Sequence, residues 1–150
     1  LESEFVTLWT GLLNPDDLSI AYCSAGHEPG MLFSPDGSVE ELATEDMALG
    51  IDATQNYRVG RRTLTPGQVL LVHTDGLSDA TDFELKRFTR QRIRETAATL
   101  LKSEPNASAS RIVEHLMWTV RQFAGVRLSG GGGASGGGDD ITLVVVRVRA

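Results

Sequence analysis

The 150-residue chain has one cysteine, Cys23, which excludes an internal disulfide and fits a reducing compartment. With only three histidines, His27, His73 and His115, widely spaced along the chain, it has no pattern for a structural zinc site. It has no apolar run near the ~20 residues needed to span a bilayer. The start, Leu1-Glu2-Ser3-Glu4, has no signal-peptide pattern. Basic residues are missing from the first 57 positions, which carry 11 Asp or Glu. All 14 Lys and Arg follow from Arg58 onward, against nine acidic residues there. The acidic first third and the net charge of −6 argue against broad nucleic-acid binding. The Lys86, Arg87, Arg90, Arg92, Arg94 cluster reads first as a solvated helix face, and second as a patch for a phosphate or an acidic partner.

What is present is a globular composition, 41% hydrophobic and 23% charged, long enough for one domain with a core. Half of the 16 glycines fall between Gly125 and Gly138. The run 129–138 reads as a flexible loop, with order expected to return at Asp139. Strands are predicted over 5–13, 18–24, 31–34, 39–42, 57–64, 69–73 and 141–148. Turns are expected at 14–17, at 35–38, and at 65–68, where Pro66 then Gly67 suits type II. Leu49-Gly50-Ile51 stands out as an apolar anchor in polar surroundings, and Val69 to His73 reads as a central strand covered on both faces. Ile93, Ala97, Leu100 and Leu101 mark one amphipathic helix. Ile112, Val113, Leu116, Met117, Val120 and Phe123 mark a second, with a cap at Ser108 or Ser110 and a stop at Gly125. Strands, then two helices, then a returning strand imply an α+β fold with antiparallel pairing.

Three places interrupt core-like sequence with polar residues. They are His73-Thr74-Asp75-Gly76-Leu77-Ser78-Asp79, Asp139-Asp140-Ile141-Thr142, and Ala25-Gly26-His27-Glu28-Pro29. Carboxylates at neighbouring strand ends would form an oxygen-rich cage suited to Mg²⁺ or Mn²⁺, and Gly76 would let a ligand approach the backbone. Such ions activate water and neutralise a phosphoryl group. Taken singly, each motif has a plainer reading: a turn, a solvated loop end, a structural histidine.

In order and spacing, the motifs resemble the metal-dependent protein phosphatases (protein phosphatase 2C type), in the bacterial branch of SpoIIE and RsbU. The matching stretches are Phe5-Val6-Thr7-Leu8 with Gly11-Leu12-Leu13-Asn14-Pro15, Tyr22 to Pro29, Leu49-Gly50-Ile51, Leu64 to Ala80, and Asp139-Asp140-Ile141-Thr142-Leu143-Val144-Val145. The resemblance implies an α-β-β-α sandwich with mostly antiparallel sheets and one phosphatase domain over 1–150. It implies that Asp75 and Asp139 hold a catalytic metal, with Asp140 a weaker ligand. Asp79 and His27 would lie at a third, looser metal site, and Gly76 and Gly26 would give the motifs their backbone and turn support. It implies Mn²⁺ or Mg²⁺ in a two-metal site and hydrolysis of phosphoserine or phosphothreonine by metal-activated water. The substrate would be a phosphorylated anti-sigma factor antagonist, in a bacterial cytoplasmic pathway with an upstream sensor or receiver domain. No nucleic-acid or membrane partner is expected.

The family's upstream Gly-Asp-x-x-Gly-His-Gly type of stretch, which supplies the Asp bridging both metals, does not occur between residues 1 and 150. The chain therefore resembles the C-terminal part of the domain, and these residues alone are expected to bind metal weakly and not to dephosphorylate. The alternative is a phosphatase-like regulatory module that binds a partner without chemistry.

Overall fold

The computed structural model describes residues 4–125 and 140–149. The expectation of a flexible 129–138 loop and the ligand role given to Asp139 fall outside the described residues. The chain divides into two compact units, one reaching to Val72 and including the stretch from Arg147, the other running from His73 to Val146.

In the first unit, β1 (Leu8–Asn14) and β2 (Ser19–Ala25) form an antiparallel hairpin, in register from Leu8 opposite Ala25 to Asn14 opposite Ser19. The polar turn sequence explains the reversal. The Asn14 side chain accepts from the Asp16 amide at 3.1 Å, and Asp17 accepts from Ser19 at 2.9 Å. β5 (Gly60–Thr63) pairs with β2, so this sheet has the order β1-β2-β5. Ile20, Tyr22 and Ser24 alternate inward along β2. Trp9 stacks on Tyr22 with ring centroids 6.2 Å apart and donates its indole N–H to the Leu42 carbonyl at 2.9 Å.

In the second sheet, β3 (Gly30–Phe33) lies between β4 (Val39–Leu42) and β6 (Val69–His73), antiparallel to both. Consecutive burial of Met31, Leu32 and Phe33, and of Val69, Leu70 and Leu71, shows both faces covered, as the apolar run predicts. The 65–68 turn is of type II character: Gly67 has φ +89°, and Gln68 donates to the Thr65 carbonyl at 3.1 Å. Beside it, Gly67 donates to the Val148 carbonyl and Val148 to that of Gln68.

Three expectations need correction, the first being that the strand expected over 57–64 is confined to Gly60–Thr63. The first strand begins at Leu8, and Val6 instead makes an isolated bridge to Leu49. That bridge is backbone pairing, at 2.9 and 2.8 Å, while Ile51 is 57% exposed. The 49–51 stretch is therefore held by main-chain hydrogen bonds rather than by an apolar anchor.

The second unit is built on helices. A four-residue turn, α1 (Asp75–Ser78), is followed by α2 (Thr89–Ser103) and α3 (Ala109–Ala124). α2 buries Ile93, Ala97 and Leu100; α3 buries Ile112, Leu116, Val120 and Ala124. Ile93, Ala97 and Leu100 follow the i, i+4, i+7 stripe read from the sequence; of the second stripe Ile112, Leu116 and Val120 are buried, Val113, Met117 and Phe123 are half-buried, and Ala124 extends the buried face. Ser108 caps α3 by accepting from the Arg111 amide at 3.1 Å, and Gly125, at φ +66°, ends it. Between the helices Arg111 clasps Glu104 through Nε at 3.0 Å and Nη2 at 2.7 Å. This hydrogen-bonded pairing holds the Glu104 carboxyl below its ordinary value. The last strand, β7, spans Leu143–Arg147. No helix of the described residues is long and apolar enough to cross a membrane.

Candidate functional site

Asp75 follows directly from β6. Thr74, in extended geometry, occupies the N-cap of α1, yet its hydroxyl does not cap that turn. It donates instead to the Asp140 carbonyl at 3.1 Å and accepts from the Thr142 amide at 2.9 Å. The Thr74 amide donates to the Thr142 carbonyl at 3.0 Å. Thr74 therefore fastens the residue before Asp75 to the segment that begins with Asp140, and two of the three sequence motifs meet there.

Within α1 the pattern separates core from solvent. Gly76, Leu77 and Ser78 are buried, whereas Asp75 and Asp79 are exposed on either side of them. Being four residues apart, Asp75 and Asp79 share one face of the turn. Asp79 donates its amide to the Asp75 carbonyl at 2.8 Å, and the Ser78 hydroxyl donates to the same carbonyl at 3.0 Å. The Asp79 carboxylate accepts from Arg87 Nη1 at 3.1 Å, so a cation already compensates its charge. The sequence did not reveal this pairing.

Gly26 and His27 belong to the other unit and end β2. Gly26 has φ +64°, and a Cβ there would lie 2.8 Å from the Ala48 Cβ and 2.9 Å from its backbone nitrogen. His27 Nδ1 lies 2.9 Å from the Glu28 carbonyl, and the His27 carbonyl accepts from the Ser24 hydroxyl at 2.8 Å. Reading the sequence missed two residues that brace this turn. Thr44 Oγ1 accepts from the Ser24 amide and donates to its carbonyl. Asp46 accepts the Gly26 amide on its backbone carbonyl at 2.7 Å.

The Asp46 side chain, 2% exposed, takes the Arg58 amide and Nε, each at 3.0 Å. Burial pushes the Asp46 carboxyl up, but hydrogen bonds from Thr44 and Arg58 and the Arg58 charge outweigh this and leave it below its ordinary value. The only signal was an acidic residue in a chain third without basic ones. Its partner lies 12 positions away.

Asp75 and Asp140 each offer a carboxylate near the Thr74 clamp, and hard oxygen ligands of that kind fit Mg²⁺ or Mn²⁺ rather than a soft ion. Among the described residues no three His, Cys, Asp or Glu side chains group as a metal cage. Asp139, the second principal ligand expected from the sequence, lies outside that set.

The chain is similar over 96% of its length to the RsbU and RsbW domains of Rv1364c from Mycobacterium tuberculosis, with TM-score 0.73 and 24% identity. It is similar over 95% to the manganese-presoaked phosphatase domain of SpoIIE from Bacillus subtilis, with TM-score 0.66 and 18% identity. With the PP2C phosphatase domain of SpoIIE from Bacillus subtilis, similar over 95% of this chain at TM-score 0.66 and 19% identity, these likenesses define the fold as that of the protein phosphatase 2C class, α+β with antiparallel sheets. The model of the stage II sporulation protein E (SpoIIE) family matches residues 1–149, and the chain belongs to that family.

Among curated proteins, Protein IcfG of Synechocystis is 30% identical over 61% of this chain, and Phosphoserine phosphatase RsbU of Bacillus subtilis is 31% identical over 51%. The chain spans 14% and 23% of those two proteins, and 36% and 56% of the first two solved chains.

Proposed function

We propose that this chain is part of a single metal-dependent serine/threonine phosphatase domain of the SpoIIE and RsbU type. The observation that carries the reading is the Thr74 clamp, which ties the Asp75 turn to the segment opening with Asp140. Family membership and a relative named as a phosphoserine phosphatase support it. Asp75 and Asp139 would hold Mn²⁺ or Mg²⁺, with Asp140 beside them and Asp79 and His27 in lesser roles. The ions supply Lewis acidity and an activated water for attack on a phosphoserine or phosphothreonine. Thr74 orients the two carboxylate-bearing segments, and buried Leu77 seats α1 so that Asp75 faces solvent. The substrate is a phosphorylated signalling protein of the anti-sigma factor antagonist kind, in a cytoplasmic pathway.

The test is Asp75→Asn in the full-length protein. Turnover of a phosphoserine protein with Mn²⁺ falls by roughly a hundredfold or more, while Tm stays within about 2 °C. Retained activity removes Asp75 from the metal shell.

A second reading, a phosphatase-like module that binds a partner without turnover, is favoured by the engagement of Asp79 with Arg87. Calorimetric titration of the full-length protein with Mn²⁺ separates the two: the phosphatase binds at least one ion, and the module binds none.

A further inference from the structure

Directly after Asp79 the chain makes a tight hairpin over 80–88. Thr81 bridges Arg87, and Phe88 donates to the Ala80 carbonyl at 2.7 Å. Asp82 organises the tip. Its amide donates to the Lys86 carbonyl at 3.0 Å, its carbonyl accepts from Leu85 at 3.1 Å, and its carboxylate accepts the Glu84 and Lys86 amides at 2.9 and 3.0 Å. The base is anchored by Phe88, buried and edge-on to Phe123 at 5.2 Å.

This preorganised tip presents two large apolar side chains outward: Phe83 is 83% exposed and Leu85 is 73% exposed. Leu85 also sits at φ +62°. A bulky residue in the left-handed region is strained, where glycine or asparagine would not be. Leucine at that position gains no burial within the described residues. The surroundings carry net positive charge: Lys86, Arg87, Arg90, Arg92 and Arg94 outnumber Asp79, Asp82 and Glu84 between positions 79 and 94, with Lys86 paired to Glu84, Arg87 to Asp79 and Arg92 lying 4.6 Å over the Phe123 ring.

We infer that the 80–88 hairpin is a docking element for the phosphoprotein substrate. Phe83 and Leu85 engage an apolar patch, and the net positive charge of the 79–94 stretch meets acidic residues around the phosphoserine. The partner chemistry is an acidic phosphoserine-bearing protein segment, complementary to a surface that is basic in an otherwise acidic chain. The inference rests on the phosphatase reading for its substrate. The tether is the Asp79–Arg87 pair, which joins the hairpin to the turn carrying Asp75.

The test uses the full-length protein, fluorescein-labelled serine-phosphorylated β-casein as an acidic phosphoprotein, and p-nitrophenyl phosphate as a small substrate. The variant combines Phe83→Ser with Leu85→Gly, the glycine relieving the backbone strain so that the fold is kept. Docking predicts that the Kd for phosphocasein, read by anisotropy, rises about tenfold. The KM for phosphocasein rises with it, while p-nitrophenyl phosphate kinetics and Tm are unchanged. Equal binding by both proteins, or no binding by the wild type, overturns the inference. A Tm lowered by more than about 5 °C, or an equal loss with p-nitrophenyl phosphate, also overturns it, because the hairpin then packs on another part of the polypeptide. Wild type that binds phosphocasein more tightly than the variant but turns over neither substrate sinks the phosphatase reading and leaves docking standing. Turnover of p-nitrophenyl phosphate with unchanged casein binding does the reverse.

Discussion

Thr74 and Thr142 are joined by two hydrogen bonds across 68 positions of sequence: the Thr74 amide donates to the Thr142 carbonyl at 3.0 Å, and the Thr142 amide donates to the Thr74 hydroxyl at 2.9 Å. A threonine at a helix N-cap ordinarily spends its hydroxyl on its own helix. Here the hydroxyl serves the segment behind a second acidic motif.

Thr74→Val keeps the shape and removes the hydroxyl. The loss of two hydrogen bonds destabilises the protein by about 1–2 kcal/mol in urea unfolding. Metal-dependent turnover of the full-length protein falls as well, because the two segments lose their mutual registration. Thr74→Ser restores both. A Val variant as active as wild type would show that the clamp does not position the site.

Asp79 is already paired with Arg87, so Asp79→Asn in the full-length protein lowers Mn²⁺-dependent activity less than Asp75→Asn does. The exposed pair adds little to stability, and Tm barely moves. Comparable losses from the two substitutions would make Asp79 a principal ligand and the Arg87 contact incidental.

Asp46 sets a pH dependence. Its folded-state carboxyl lies below the ordinary 3.8, so its stabilising contribution is fully present above that pH and is lost as pH falls through the folded value. Wild type and Asp46→Asn therefore differ in Tm by a constant gap from pH 7 down to about pH 5, and the gap closes below pH 3.8. A gap that widens on acidification would contradict the Arg58 pairing.

Leu116 is fully buried on α3, whereas Trp118, two residues on, is 60% exposed. Leu116→Ala costs about 2–5 kcal/mol by cavity formation, and Trp118→Ala stays within roughly 0.5 kcal/mol. Chemical denaturation of the pair measures which face of α3 the core holds.

Gly26→Ala combines a left-handed backbone with a Cβ driven to 2.8 Å from that of Ala48. The loss is about 1–3 kcal/mol, and His27 is displaced with the turn. An alanine variant with unchanged Tm would mean that the Gly26 turn relaxes freely.

Local features of this protein were legible because local physics sets them. The apolar run Val69 to His73 read as a covered strand, Pro66-Gly67 carries its turn type in its allowed dihedrals, and Ser108 and Gly125 bracket α3 by capping chemistry. Thr74-Asp75-Gly76 and Asp139-Asp140 were conspicuous because polar residues interrupted core-like sequence.

Partnerships between distant residues were not legible. Thr74 could have capped its own helix, Asp79 had no visible cation, Asp46 lay in a stretch without periodicity, and Ile51 read as an anchor although it is exposed and the Leu49 backbone pairs with Val6. Dihedral preference and periodic burial act over a few residues, so the chain itself determines its strands, turns, caps and acidic motifs. A hydrogen bond between positions 74 and 142 exists only once the strands before and after them have been aligned. The tertiary structure alone therefore decided which carboxylate-bearing segments meet and which carboxylate is engaged by arginine.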